Sequence, residues 1–257
     1  MNYLLISLII SSSLCYSLEF ALPHWFLFPK EYPDHVVGYG RGEGSSIHDA
    51  VIMHCFYKEV IIVGSYYRYN DYEGRISDYY WNYSPKCLEE FKDKLFPVSS
   101  IVSNILTDSH IALFNISPSE LKDPISFINI DELDHPRWIQ KDFWLEDGYY
   151  YSVGMYTSRG EKNDAWKTAE ERAFFNLVTS VSVHVGSVAI NTITEDVKGN
   201  LFENYEKVTG YKLHSKLIDS QVLERWPDLK SNFYYVLVRV DKENIISPNL
   251  KNNGDKK

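Results

Sequence analysis

The stretch Pro-His-Trp-Phe at residues 23–26 returns as Pro-Arg-Trp-Ile at 136–139, 113 positions further on. The correspondence extends, because VVGYG at 36–40 matches SVGMY at 152–156, and each is followed by a polar, glycine-containing segment and a helical pattern. The first helix opens with Ser46-Ile47-His48-Asp49, which has capping-box form, and carries Ile47, Ala50, Val51, His54 and Tyr57 on one face. The second opens near Asn163-Asp164 and carries Ala165, Trp166, Ala169, Ala173 and Leu177, whose alanines let a helix lie close to a sheet. Each copy then runs through a shorter polar helix, at 87–95 or 201–208, into a closing strand, HIALFNI at 110–116 or FYYVLVRV at 233–240.

A unit of this order packs one amphipathic helix on one face of a mostly antiparallel sheet. The expected fold is therefore α+β with two tandem repeats. Asp147-Gly148 supports the sheet as a hairpin signal between RWIQKDFWL and the tyrosine strand that follows. The join falls near Asp131 to His135, after the proline-containing polar stretch SPSELKDP. The division expected is a signal peptide at 1–17, a first, degenerate repeat at 18–131, a second repeat at 132–246 and a solvated, disordered tail at 247–257.

The alternating glycines of VVGYGRGEGSS, residues 36–46, invite comparison with phosphate-binding loops, and the comparison fails. No lysine opens the helix as a Walker loop requires, and Glu43 stands where a dinucleotide fingerprint needs glycine and would repel a pyrophosphate. A strand-to-helix turn is the expected role.

Residues 2–17 contain no charge, carry an apolar run from Leu4 to Ile10 and end in small or polar residues, the shape of a secretory signal cleaved after Ser17. The run falls short of the roughly 20 residues a membrane helix needs. Cys15, just beyond it, is a candidate lipidation site that would tether the chain to a membrane. The 240 residues left after cleavage, 44% of the whole chain being hydrophobic, suffice for two cored units of about 120 residues each. A net charge of −9 without a basic stretch argues against nucleic acid as a partner. Of three cysteines only Cys55 and Cys87 remain after processing, and two readings stay open: a disulfide, as export allows, or two unconnected thiols.

Reaction chemistry is hard to find in the sequence. There is no Gly-x-Ser-x-Gly, no His-Glu-x-x-His and no Cys-x-x-Cys, and His48 and His54 lie six apart, the wrong spacing for two ligands on one helical face. Asp34-His35 with Ser45 or Ser46 is a weak triad candidate, and Glu89-Glu90 and Glu170-Glu171 read as solvated helix faces. No catalytic residue, metal or cofactor is expected. Asn82 and Asn115 open glycosylation sequons, each followed by a proline that disfavours modification. The remaining candidate is a tyrosine-rich hairpin over 65–84, turning at Asp71 to Gly74. Its Tyr66, Tyr67, Tyr69, Tyr72, Tyr79, Tyr80 and Trp81 form a candidate interaction surface for protein or glycan. Trp25 and Trp138, repeated at one place in both units, read as core plugs.

The span PRWI…DGYYYSVGMYTSRGEKNDAWKTAEERAFFNL, followed by RWPDLKSNFYYVLVRV, resembles the LPP-twenty family of bacterial envelope lipoproteins and the similar N-terminal domain of a flagellar H/T-ring protein. The resemblance covers residues 136–240. In the first copy His54 and Lys58 replace the alanine stripe. It implies an exported, non-enzymatic protein of the periplasm or outer-membrane periphery. Such a protein would bind other envelope proteins or itself, with membrane contact only through a lipid on Cys15 or through a partner. The rivals are an exported hydrolase with an unrecognised site and a peptidoglycan-binding module using the tyrosine hairpin.

Overall fold

A computed structural model describes residues 21–69, 72–103, 109–116, 126–157, 162–196 and 209–247. The expected signal peptide, Cys15, the second polar helix at 201–208 and all but Ser247 of the tail lie outside the described residues.

The fold is α+β. In the first half, β1 (Ala21–Pro23) leads into the short α1 (His24–Leu27), β2 (His35–Gly40) and α2 (Glu43–Lys58). A long hairpin follows, β3 (Glu59–Tyr69) and β4 (Tyr72–Tyr83), then α3 (Pro85–Phe91), β5 (Phe96–Ser103), β6 (Ser109–Asn115) and β7 (Phe127–Asn129). In the second half, β8 (Phe143–Glu146) and β9 (Tyr149–Thr157) precede α4 (Lys162–Asp196), β10 (Thr209–Ile218), β11 (Gln221–Asp228), β12 (Phe233–Asp241) and β13 (Ile245–Ile246).

The strands form antiparallel sheets. One has the order β2-β6-β5 and another β11-β12-β9-β8. In both, the strand that feeds a helix (β2 or β9) pairs with the last long strand of its half (β6 or β12). A third sheet, β13-β10-β3-β4, joins the halves through ten consecutive pairs from Thr209↔Arg68 to Ile218↔Glu59. Buried residues of both halves, among them Trp25, Phe56 and Phe114 with Phe174, Leu177 and Val238, make one continuous core. The halves are thus not two separately cored units.

Local chemistry explains most element ends. α2 starts one turn earlier than the Ser46 capping pattern suggests, because the Ser45 hydroxyl accepts from the N–H groups of Arg41 (2.9 Å) and Gly42 (3.1 Å). The reversal between β8 and β9 uses Asp147 (φ 49°) and Gly148 (φ 82°), the two positive values that a tight two-residue hairpin requires. In α4 the buried positions include Ala165, Trp166, Ala169, Ala173 and Leu177, the stripe read from the sequence. Cys55 on α2 is joined to Cys87 on α3, closing a loop whose ends lie 32 positions apart. In the chain-entropy account such a closure contributes about 3–4 kcal/mol.

The two repeated tryptophans part company. Trp25 is fully buried in the common core. Trp138 is half-buried on the far side of the β9 sheet, beside Val153, Leu223 and Leu237, and donates from Nε1 to Glu224 Oε2 at 2.7 Å.

Candidate functional site

Position 170 lies on the face of α4 that carries Trp166, Ala173 and Phe174, so its carboxylate enters the core and is 0% exposed. This corrects the solvated-face reading of Glu170. Arg225 of β11 meets it, with Nη2 donating to Glu170 Oε2 at 2.9 Å and Nη1 donating to the Phe26 carbonyl at 3.0 Å. The guanidinium lies over the rings of Phe26 (4.9 Å) and Tyr39 (5.9 Å), contacts that suit a weakly hydrated planar cation. The Tyr39 hydroxyl donates to Glu170 Oε2 at 3.3 Å, and that of Tyr57 donates to Oε1. Burial raises both tyrosines well above their ordinary 10.0, so both stay protonated donors.

A second pair lies beside the first. Lys167 bonds Asp49 Oδ1, and Asp49 Oδ2 accepts from the Tyr39 N–H at 2.9 Å. These two pairs tie α2 and β2 of the first half to α4 and β11 of the second. Each buried charge faces an opposite one, which is the condition for tolerating ions in a core.

Glu171 differs. Burial pushes its carboxyl up to about 7, against the pull of Lys167 and with help from Glu170 and Asp49. It lines a cavity of about 190 Å³ with Lys167, Trp81 and Phe174.

A larger cleft of about 400 Å³ opens between the halves. The first half supplies Trp25, His35, His54 and Lys58, and the second supplies Asp219, Arg225 and Arg239. Burial lowers His35 from 6.5, opposed by Asp34. Burial and then the Lys58 charge push His54 down to about 4, opposed by Glu90. The unfolded chain takes up this proton near pH 6.5 and the folded chain only near 4, so His54 stability is complete above that window and falls as pH drops through it. Replacing His54 by Phe, which also packs on Phe91, is expected to remove about 2 kcal/mol of the stability lost between pH 7 and pH 4.5. Urea unfolding of both proteins at the two pH values measures it.

The triad candidates are not assembled. The ring nitrogens of His35 bond nothing among the described residues, while Ser46 Oγ lies 2.8 Å from His110 Nδ1 in the interior and donates to the Glu43 carbonyl. Within the tyrosine hairpin, pairing runs to Tyr69↔Tyr72, so Gly74 lies inside β4 and the reversal at 70–71 lies outside the described residues. Tyr80 is 63% exposed, whereas Trp81 turns inward against Phe56. Tyr66, Tyr67, Tyr69, Tyr72 and Tyr79 lie on these two strands, with side chains outside the described set. Asn115 is buried at 1% exposure, closed to a modifying enzyme. Among the described residues no cluster of three or more His, Cys, Asp or Glu is placed to hold a metal, and no helix is long and apolar enough to cross a membrane.

Sequence reasoning missed Glu170 and Arg225. The signal was a charge in register with an apolar stripe, since Glu170 falls four after Trp166 and four before Phe174. In comparisons with known proteins, no family model matches this chain, and no curated protein or solved structure matches it significantly.

Proposed function

We propose that this chain is an exported, non-enzymatic protein of a bacterial cell envelope that acts by binding or assembly, built from two copies of one strand–helix–sheet unit. The observation that carries the reading is the Cys55–Cys87 bond, which suits an oxidising compartment and agrees with the charge-free leader. The duplication is supported by the equivalent strand pairings of the two halves and by Gly38 and Gly154, each pressed against its following helix. The binding role is supported by ion pairs that compensate one another in the core, and by a long hairpin whose Tyr80 is open to solvent.

One observation favours an enzyme instead. Glu171, a carboxyl that titrates near neutral pH in a small apolar cavity, is what a general acid requires. It has Lys167 beside it in the cavity lining but no hydroxyl or thiol nucleophile among the other lining side chains except the Tyr83 phenol.

Expression of the whole chain in a bacterium tests the export reading. The expected result is a protein in the envelope fraction that starts at Leu18 and whose Cys55 and Cys87 resist alkylation until reduced. A full-length protein in the cytoplasm with both thiols open to alkylation would refute it.

A further inference from the structure

Eight buried side-chain nitrogen or oxygen atoms have no hydrogen-bond partner among the described residues, and five of them belong to residues lining one cavity. They are Trp25 Nε1, both ring nitrogens of His35, His54 Nε2 and Arg225 Nε, all around the cleft between the halves. Trp25 is 0% exposed, Arg225 2% and His54 5%, so bulk water does not reach these side chains freely. The five atoms are closed to any oxygen lying in the cleft, so they form a donor-rich layer behind its wall and act on a bound partner through their charge and dipoles.

The chemistry of that partner follows from the donors. Indole Nε1 and guanidinium Nε only donate, and each neutral imidazole carries one N–H. The set is rich in donors, so the layer behind the wall favours an anion in the cleft. Charge points the same way. Lys58 and Arg239 also line the cleft: Lys58 lies over the Phe91 ring, and Arg239 donates to Gln221 Oε1 and lies over the Tyr149 ring. Neither is held by a carboxylate in these contacts, and Asp219 is the one acidic residue in the lining. The rest of the wall is apolar, including Val36, Val37, Leu113 and Val222.

We propose that this cleft is a binding site for a small carboxylic acid with an apolar body. The carboxylate is held by Lys58 and Arg239, with the buried N–H groups of Trp25, Arg225 and the histidines behind the wall, and the body lies against the valine and leucine wall. A volume of about 400 Å³ admits a ligand of that size, and a few convergent polar groups in an apolar cleft are the usual make-up of a small-molecule site. The site does not depend on the compartment in which the protein works.

Sodium hexanoate and sodium phenylacetate, titrated into the full chain at pH 7, are the probes, with imidazole ring signals followed by NMR. The expected result is a saturable shift of His35 and His54 while the exposed His48 and His135 stay fixed. Hexanamide, which lacks the charge, gives no saturable shift. Lys58→Met and Arg239→Gln each weaken hexanoate about tenfold, the usual effect of one charge-assisted hydrogen bond, with near-UV spectra unchanged. The proposal is overturned by no saturable shift with either acid, by hexanamide binding as tightly as hexanoate, by unchanged affinity in both variants, or by inorganic phosphate binding equally well.

Discussion

Glu170→Gln is expected to destabilise the protein by about 3–5 kcal/mol, although it changes one atom in a side chain far from any loop. Among the described residues the fully buried Arg225 guanidinium has one carboxylate partner, and it also meets the Phe26 carbonyl and two aromatic faces. With glutamine at 170 the positive charge stays in the core without its counter-ion, and the hydroxyls of Tyr39 and Tyr57 exchange a charged acceptor for a neutral amide. Replacing both charges, Glu170→Leu with Arg225→Met, is expected to restore part of the loss, because it removes the unpaired ion but leaves the Tyr39 and Tyr57 hydroxyls without their acceptor. Urea unfolding of the two variants decides it. A Glu170→Gln protein within about 1 kcal/mol of the parent would mean that water reaches Arg225 and that the pair does not close the core.

The two variants also mark where the sequence stopped being readable. Periodicity placed both long helices and the strands that close each half, since apolar spacing is a local property of the chain. It also aligned Gly38 with Gly154, the positions where strand and helix touch. What it did not convey was how the halves meet. The ten-pair contact of β3 with β10 joins residues about 150 positions apart, and no local pattern encodes such a pairing. The Glu170–Arg225 pair depends on that meeting, so a carboxylate that looked solvated beside Glu171 proved to be central. Trp138 shows the converse. Its motif repeats that of Trp25, yet it faces the opposite side of its sheet and bonds Glu224, because motif similarity does not fix which face a side chain covers.

Gly154→Ala is expected to cost about 4 kcal/mol, above the ~1–3 kcal/mol usual for an overfilled core, because backbone and not side chain stands in the way. A Cβ at this position would lie 1.9 Å from the Ala169 carbonyl oxygen and 2.4 Å from the Ala173 nitrogen of α4. Neither side gives easily. The helix backbone is held by its own hydrogen bonds, and β9 is held by nine consecutive pairs with β12, from Phe233↔Thr157 to Asp241↔Tyr149. The helix must therefore lift off the sheet, loosening Ala169, Ala173 and the Glu170 carboxylate between them. Thermal unfolding reads this as a fall in Tm of about 8–16 °C for a chain of this size. Gly42→Ala, where nothing lies within 4 Å but which caps α2, is the control and is expected to lower Tm by no more than about 4 °C. A Gly154→Ala protein as stable as that control would mean that α4 slides freely over β9. A Cβ at Gly38 would lie 2.0 Å from the Ser46 carbonyl oxygen in the first half, so Gly38→Ala should match Gly154→Ala in size. Two glycines of equal sensitivity are what one strand-on-helix contact, used twice, requires.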